Sequence, residues 1–144
     1  MPLLNYTTKV PVYRSIEQIQ KLLVQAGASA VMTEYDDDKI VSTISFKIKT
    51  GENEFSFRLP GDWRSTLEVM KHDGTPRNQL TPEHAQRVAW RITKDWVEVQ
   101  IALLQTRSVV LPQLFLPYMV NQQGSTAWQL VSQNPQILGL GAGE

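Results

Sequence analysis

The stretch IVSTISFKIKTGENEFSFRL, residues 40–59, decides the fold. Successive side chains of an extended chain point to opposite sides. From Ile40 to Lys49 this puts Ile40, Ser42, Ile44, Phe46 and Ile48 on one face, and Val41, Thr43, Ser45, Lys47 and Lys49 on the other. After the turn residues Gly51-Glu52-Asn53 the alternation resumes, with Phe55, Phe57 and Leu59 inward and Ser56 and Arg58 outward. Ala28 to Tyr35 reads as a third strand, joined to the first two by Asp36-Asp37-Asp38. Such short connections predict an antiparallel meander. One apolar and one polar face predict a sheet covered on one side only.

The cover must come from the flanking segments. Thr7 to Tyr13 reads as a short edge strand carrying Pro11, a residue that cannot donate to a ladder on both sides. Ser15 and Gln18 have the spacing of a capping box. Ile16, Ile19, Leu22, Leu23 and Ala26 then recur at helical spacing until Gly27 stops the helix. Asp62 opens a short helix with Trp63, Leu67, Val69 and Met70. The longest helix starts at Thr81 as N-cap, with Pro82 in the first position and Glu83 complementing the dipole, and runs to about Gln105. Its stripe Ala85, Ala89, Ile92, Trp96, Val99 and Leu103 predicts that Trp96 faces the sheet; Trp90, Val97, Ile101 and Leu104 flank it. Beyond it, Pro112 and Pro117 bracket a very apolar segment, and Thr126 to Val131 forms a short amphipathic piece.

The chain of 144 residues is long enough to fold without staples, and it has no Cys, which removes disulfides, thiolate metal sites and cysteine catalysis. Lys and Arg number 14, as do Asp and Glu, so binding to a polyanion would need local charge segregation. The apolar fraction of 42% fits a globular domain. The apolar runs are too short to cross a membrane. The opening Met1-Pro2-Leu3-Leu4-Asn5-Tyr6 lacks the basic and apolar regions of a secretory signal, so a cytoplasmic location is expected.

Val88-Ala89-Trp90-Arg91-Ile92, Lys94-Asp95-Trp96 and Gln100, together with Phe115-Leu116-Pro117-Tyr118, resemble a family of small uncharacterised proteins of bacterial phages, prophages and other mobile elements. The likeness extends to Gly27-Ala28, Ser45-Phe46 and Leu59-Pro60, and so over most of the chain. It implies a mobile element acting in a bacterial cytoplasm. It carries no activity and no site residue.

Three surfaces carry candidate binding residues. Arg87, Arg91 and Lys94 lie at i, i+4 and i+7 of the long helix, the pattern of a phosphate-contacting stripe; the plainer reading is a solvated face with Glu98 paired to Lys94. Lys47 and Arg58 project from the open face of the sheet, which lacks the aromatic side chains on which bases stack; Tyr35 is the nearest candidate. The apolar residues Leu114, Phe115, Leu116, Tyr118 and Met119 either close over the core or meet a protein partner or second subunit. Asp36-Asp37-Asp38 lacks the spacing of a calcium loop and reads as a turn. His72 and His84 are expected to be exposed, and no hydrolase, nucleotide or metal motif is present. The helix–sheet–helix order suits restriction-type nucleases, but Glu54-Phe55-Ser56 lacks their lysine.

The sequence therefore predicts a two-layer α+β domain over residues 1–138, with a flexible glycine-rich end at 139–144. An antiparallel sheet of three or four strands packs against a long central helix and an N-terminal helix. No catalytic residue, metal or cofactor is expected. The function expected first is binding of a host or mobile-element protein; the alternative is nucleic-acid or nucleotide binding through Arg87, Arg91, Lys94, Lys47 and Arg58.

Overall fold

The computed structural model describes residues 2–139. The glycine-rich end lies, beyond Gly139, outside the described residues. Helix α1 spans Val12–Gln25. Strands β1 (Ala30–Tyr35), β2 (Val41–Thr50) and β3 (Asn53–Arg58) follow, then α2 (Trp63–His72) and α3 (Pro82–Gln105). The tail contains α4 (Leu111–Leu114), a two-residue strand β4 (Met119–Val120) and α5 (Ala127–Gln133). The sheet order is β1-β2-β3-β4, antiparallel throughout, so the chain is the α+β domain that the alternation predicts.

The register follows the chemistry of the strands. Phe46 lies opposite both Val31 and Phe57, and Ile48 opposite Phe55, so the apolar side chains share the inner face. Asp36 Oδ1 accepts from the backbone N–H groups of Asp38 (2.9 Å) and Ile40 (3.0 Å), which makes the triple-aspartate run a tight turn. Gly51, with φ 61°, takes the first central position of the next hairpin, where a side chain would be strained.

The N-terminal reading needs correction. Residues Thr7 to Tyr13 form no strand, and the helix begins at Val12 rather than Ser15. Proline lacks an N–H and has its φ preset, which suits the entry to a helix as well as a strand edge; here Pro11 stands at the N-cap with φ −67°. Ser15 does not cap. It is fully buried against α3. The other end matches expectation: Gly27 adopts φ 113°, and Ala28 N–H bonds Leu23 O (2.9 Å) while Gly27 N–H bonds Val24 O (3.1 Å).

Helix α3 starts as read, with Thr81 Oγ1 accepting from His84 N–H at 3.2 Å. Its core face is centred differently. Trp90, Val97 and Ile101 are buried, Trp96 is half-buried, and Val99 and Leu103 are exposed. Length explains this. The 10 residues of α2 reach about 15 Å and the 24 residues of α3 about 36 Å, so α2 is too short to cover the whole length of α3.

The tail completes the core. Phe115 is fully buried, edge-on to Phe46 (centroids 5.3 Å) and Phe57 (6.5 Å), which are themselves stacked at 4.9 Å. Trp96 meets Phe115 edge-on at 5.4 Å, and Tyr118 meets Trp96 at 5.3 Å. Such pairs contribute about 0.5–1.5 kcal/mol each beyond the area they bury. Met119 then lies opposite Phe57 and adds the fourth strand.

Phe115→Ala is expected to cost about 3–5 kcal/mol in urea unfolding, whereas Leu116→Ala, at an exposed site, should cost less than about 1 kcal/mol. Trp90→Ala should likewise cost more than Trp96→Ala. Equal costs at 115 and 116 would contradict this packing.

Candidate functional site

The aromatic ladder that begins in the core surfaces at Tyr118, and the loop between β3 and α2 runs past it. Thr93 Oγ1 on α3 donates to Pro60 O (3.3 Å) and Ala89 O (3.0 Å), which ties this loop to the helix. Gly61 lies flat on the buried Trp90 ring. A Cβ there would sit 2.8 Å from Trp90 Cη2, so the position admits glycine for reasons of space. Asp62 caps α2: its Oδ1 accepts from Arg64 N–H (3.0 Å) and its Oδ2 from Ser65 Oγ (2.7 Å). The Ser65 hydrogen bond holds the Asp62 carboxyl below its ordinary range, against a smaller opposing effect of partial burial.

The opposite wall is built by the tail. Thr126 and Gln129 form a reciprocal capping box (3.1 and 2.8 Å) that starts α5. Arg58 donates to Gly124 O at 3.0 Å, tethering the turn before α5 to the sheet. Trp128 is left 64% exposed.

Two adjoining depressions result. One, of about 290 Å³, is lined by Gly61, Asp62, Ile92 and Trp96; the other, of about 410 Å³, by Arg58, Pro117, Trp128 and Gln129. Pro60 and Tyr118 line both and stand between them. The surface is aromatic and proline-rich, with a cation at one end and a carboxylate at the other. Aromatic and arginine side chains are enriched where proteins meet one another.

The cations singled out from the sequence do not share one surface. Arg91 donates from Nη1 to Gln18 Oε1 (2.6 Å) and Ser15 Oγ (3.5 Å), so it joins α3 to α1. Lys94 is only 8% exposed and pairs with Glu98 (2.8 Å) and Asp95 (3.6 Å). Arg87 Nη2 bonds His84 Nδ1 at 3.2 Å. Lys47 pairs with Glu54 at 3.7 Å on the outer face of the sheet, whereas Arg58, from the same face of β3, bonds Gly124 O and lines the cleft. Tyr35 is not on that face; it lines a groove with Tyr13 and Ile16 of α1. His84, expected to be exposed, is buried, because the N-terminal segment folds over it and its Nε2 bonds Tyr6 O.

The tail residues also divide. Phe115 belongs to the domain's own core and offers nothing to a partner in this fold. Leu114 and Met119 pack half-buried against that core. Leu116 is exposed, and Tyr118 forms the ridge of the cleft. Pro60, Trp96 and Trp128 join it without any local signal, since residues so far apart in the chain share no spacing. Among the described residues, no three of His, Asp and Glu come together in a way that could hold a metal ion, and no helix is long and apolar enough to cross a membrane.

Gly61→Ala is expected to destabilise the domain by about 1–3 kcal/mol, because ring or loop must shift; an unchanged melting midpoint would show that Trp90 does not lie under this loop. Asp62 gives a pH signature. Its folded pKa lies below the unfolded one, so its contribution is full at neutral pH and is lost as pH falls through the lower, folded-state value. Asp62→Asn, compared with the native protein in acid urea titrations, should lose that dependence; parallel stability curves would refute the cap. No protein-family model matches the chain, and no curated protein or solved structure matches it either.

Proposed function

We propose that this chain is a non-enzymatic binding protein whose cleft between Trp96, Tyr118 and Trp128 receives an extended segment of a second protein. The observation that supports this reading is Trp128, a large indole 64% exposed beside Tyr118, Pro60, Pro117 and Arg58. An isolated exposed apolar side chain needs no explanation, but a rigid aromatic set around two depressions does. Aromatic walls separated by a ridge suit proline-containing or aromatic segments in extended form. Arg58 favours a carboxylate on the segment next to Trp128. The setting, a mobile element whose partner is a host or defence component in a bacterial cytoplasm, rests on the resemblance carried by residues 88–100 and 115–118.

Trp128→Ala and Tyr118→Ala should each weaken capture of a partner from bacterial lysate by at least about tenfold, as expected where such side chains are binding hot spots. Trp128→Ala should leave the melting midpoint within about 1 kcal/mol of native stability, because the ring is mostly in solvent. Capture should survive nuclease treatment and the combined Arg87→Gln, Arg91→Gln, Lys94→Gln substitution where that variant remains folded. Capture that nuclease abolishes would favour nucleic acid as the partner and overturn this reading. Capture indifferent to Trp128 and Tyr118 would place the interface elsewhere.

A further inference from the structure

A separate depression of about 380 Å³ lies between the N-terminal segment, the turn before α3 and the first two turns of α3. Thr7, Thr8 and Lys9 form one wall, Asn78 and Gln79 another, and Arg87 the third. Its charge is one-sided. Lys9 and Arg87 line it and no carboxylate does. Among the described residues neither cation is in an ion pair, although Glu83 stands four residues before Arg87. Two cations lining one concave surface with no carboxylate among its walls make it electropositive, which favours an anion there.

The Arg87 side chain is held in place by His84, which also lines the depression. His84 is buried, and its Nε2 meets the backbone carbonyl of Tyr6. A neutral imidazole that donates from Nε2 presents Nδ1 as an acceptor, which the Arg87 Nη2 group fills at 3.2 Å. The other N–H donors of the guanidinium remain for a ligand, in the planar fork that matches phosphate oxygens. The hydroxyls of Thr7 and Thr8 and the Asn78 amide add neutral donors. The N-terminal end of the 24-residue α3 adds partial positive charge to the same region.

We propose that this depression binds a phosphate monoester, with Arg87 and Lys9 as the charged contacts. Its volume of about 380 Å³ exceeds that of a bare phosphate, which leaves space beside the phosphate for an ester group. The site shares no residue with the Trp128 cleft and stands or falls independently of it.

Amide NMR shifts of the native protein, followed at about 50 mM salt or below, test this with three probes: adenosine monophosphate, inorganic phosphate and adenosine. Saturable shifts confined to residues 7–9, 78–79 and 84–87 are expected with the first two and not with adenosine. Tighter binding of the monophosphate than of inorganic phosphate identifies an ester with its nucleoside; equal binding identifies recognition of the phosphate group alone. Lys9→Gln and Arg87→Gln should each weaken binding at least about tenfold, the loss of one charge-assisted hydrogen bond. Lys9 is exposed, so its variant keeps the native melt and separates loss of binding from loss of fold. Trp128→Ala should change nothing here. No saturable shift with either phosphate probe, shifts spread over the whole domain, or unchanged affinity in both variants would overturn the proposal.

Discussion

The structure depends on one insertion: the ring of Phe115 between the Phe46–Phe57 pair of the sheet and Trp96 of α3. Sheet and helices alone leave an apolar cross-strand pair short of cover. The tail supplies it, and three consequences follow along the chain. Tyr118 is brought edge-on to Trp96, Met119 is delivered to the free edge of β3, and the turn at Gly124 comes within reach of Arg58. The core and the aromatic cleft are therefore two ends of one stack of rings.

That continuity separates structural from available side chains. Arg91 and Lys94 look like a basic surface when the helix is drawn alone, yet one binds α1 and the other is closed over by its own carboxylate partners. A cation engaged in this way is already satisfied, and displacing its partners would cost what the new contact supplied. The side chains that stay available are of another kind: the Trp128 indole, and around the depression at the start of α3 Lys9 and the Arg87 guanidinium, which keeps further donors beyond its bond to His84.

Much of the fold was legible because its signals are local. The alternation from Ile44 to Leu59 specifies which side chains meet, and Thr81-Pro82-Glu83 states where α3 starts. At the beginning of β2 a register irregularity beside Glu34 and Tyr35 instead puts Val41 against the core and leaves Ser42 exposed, the reverse of the simple alternation. Pro11 misled because its ring suits a strand edge and a helix entry equally well. Which parts of α3 are covered depends on neighbours such as α2, too short to span it, and no periodicity within α3 records that. The cleft was not legible either. Pro60, Trp96, Tyr118 and Trp128 acquire a common surface only after the tail has docked, and Phe115, read with its neighbours as interface or cover, is the residue that docks it. The burial of His84 likewise required the N-terminal segment to cross the start of α3, a contact between residues far apart in sequence.

The most direct test is the set of through-space proton contacts among the aromatic rings in the folded protein. The account predicts strong cross-peaks from Phe115 to Phe46 and to Trp96, together with cross-peaks from Trp96 to Tyr118. A Phe115 ring with contacts only to its own segment, while Phe46 and Phe57 still contact each other, would show that the tail does not complete the core and that the cleft is not built as described.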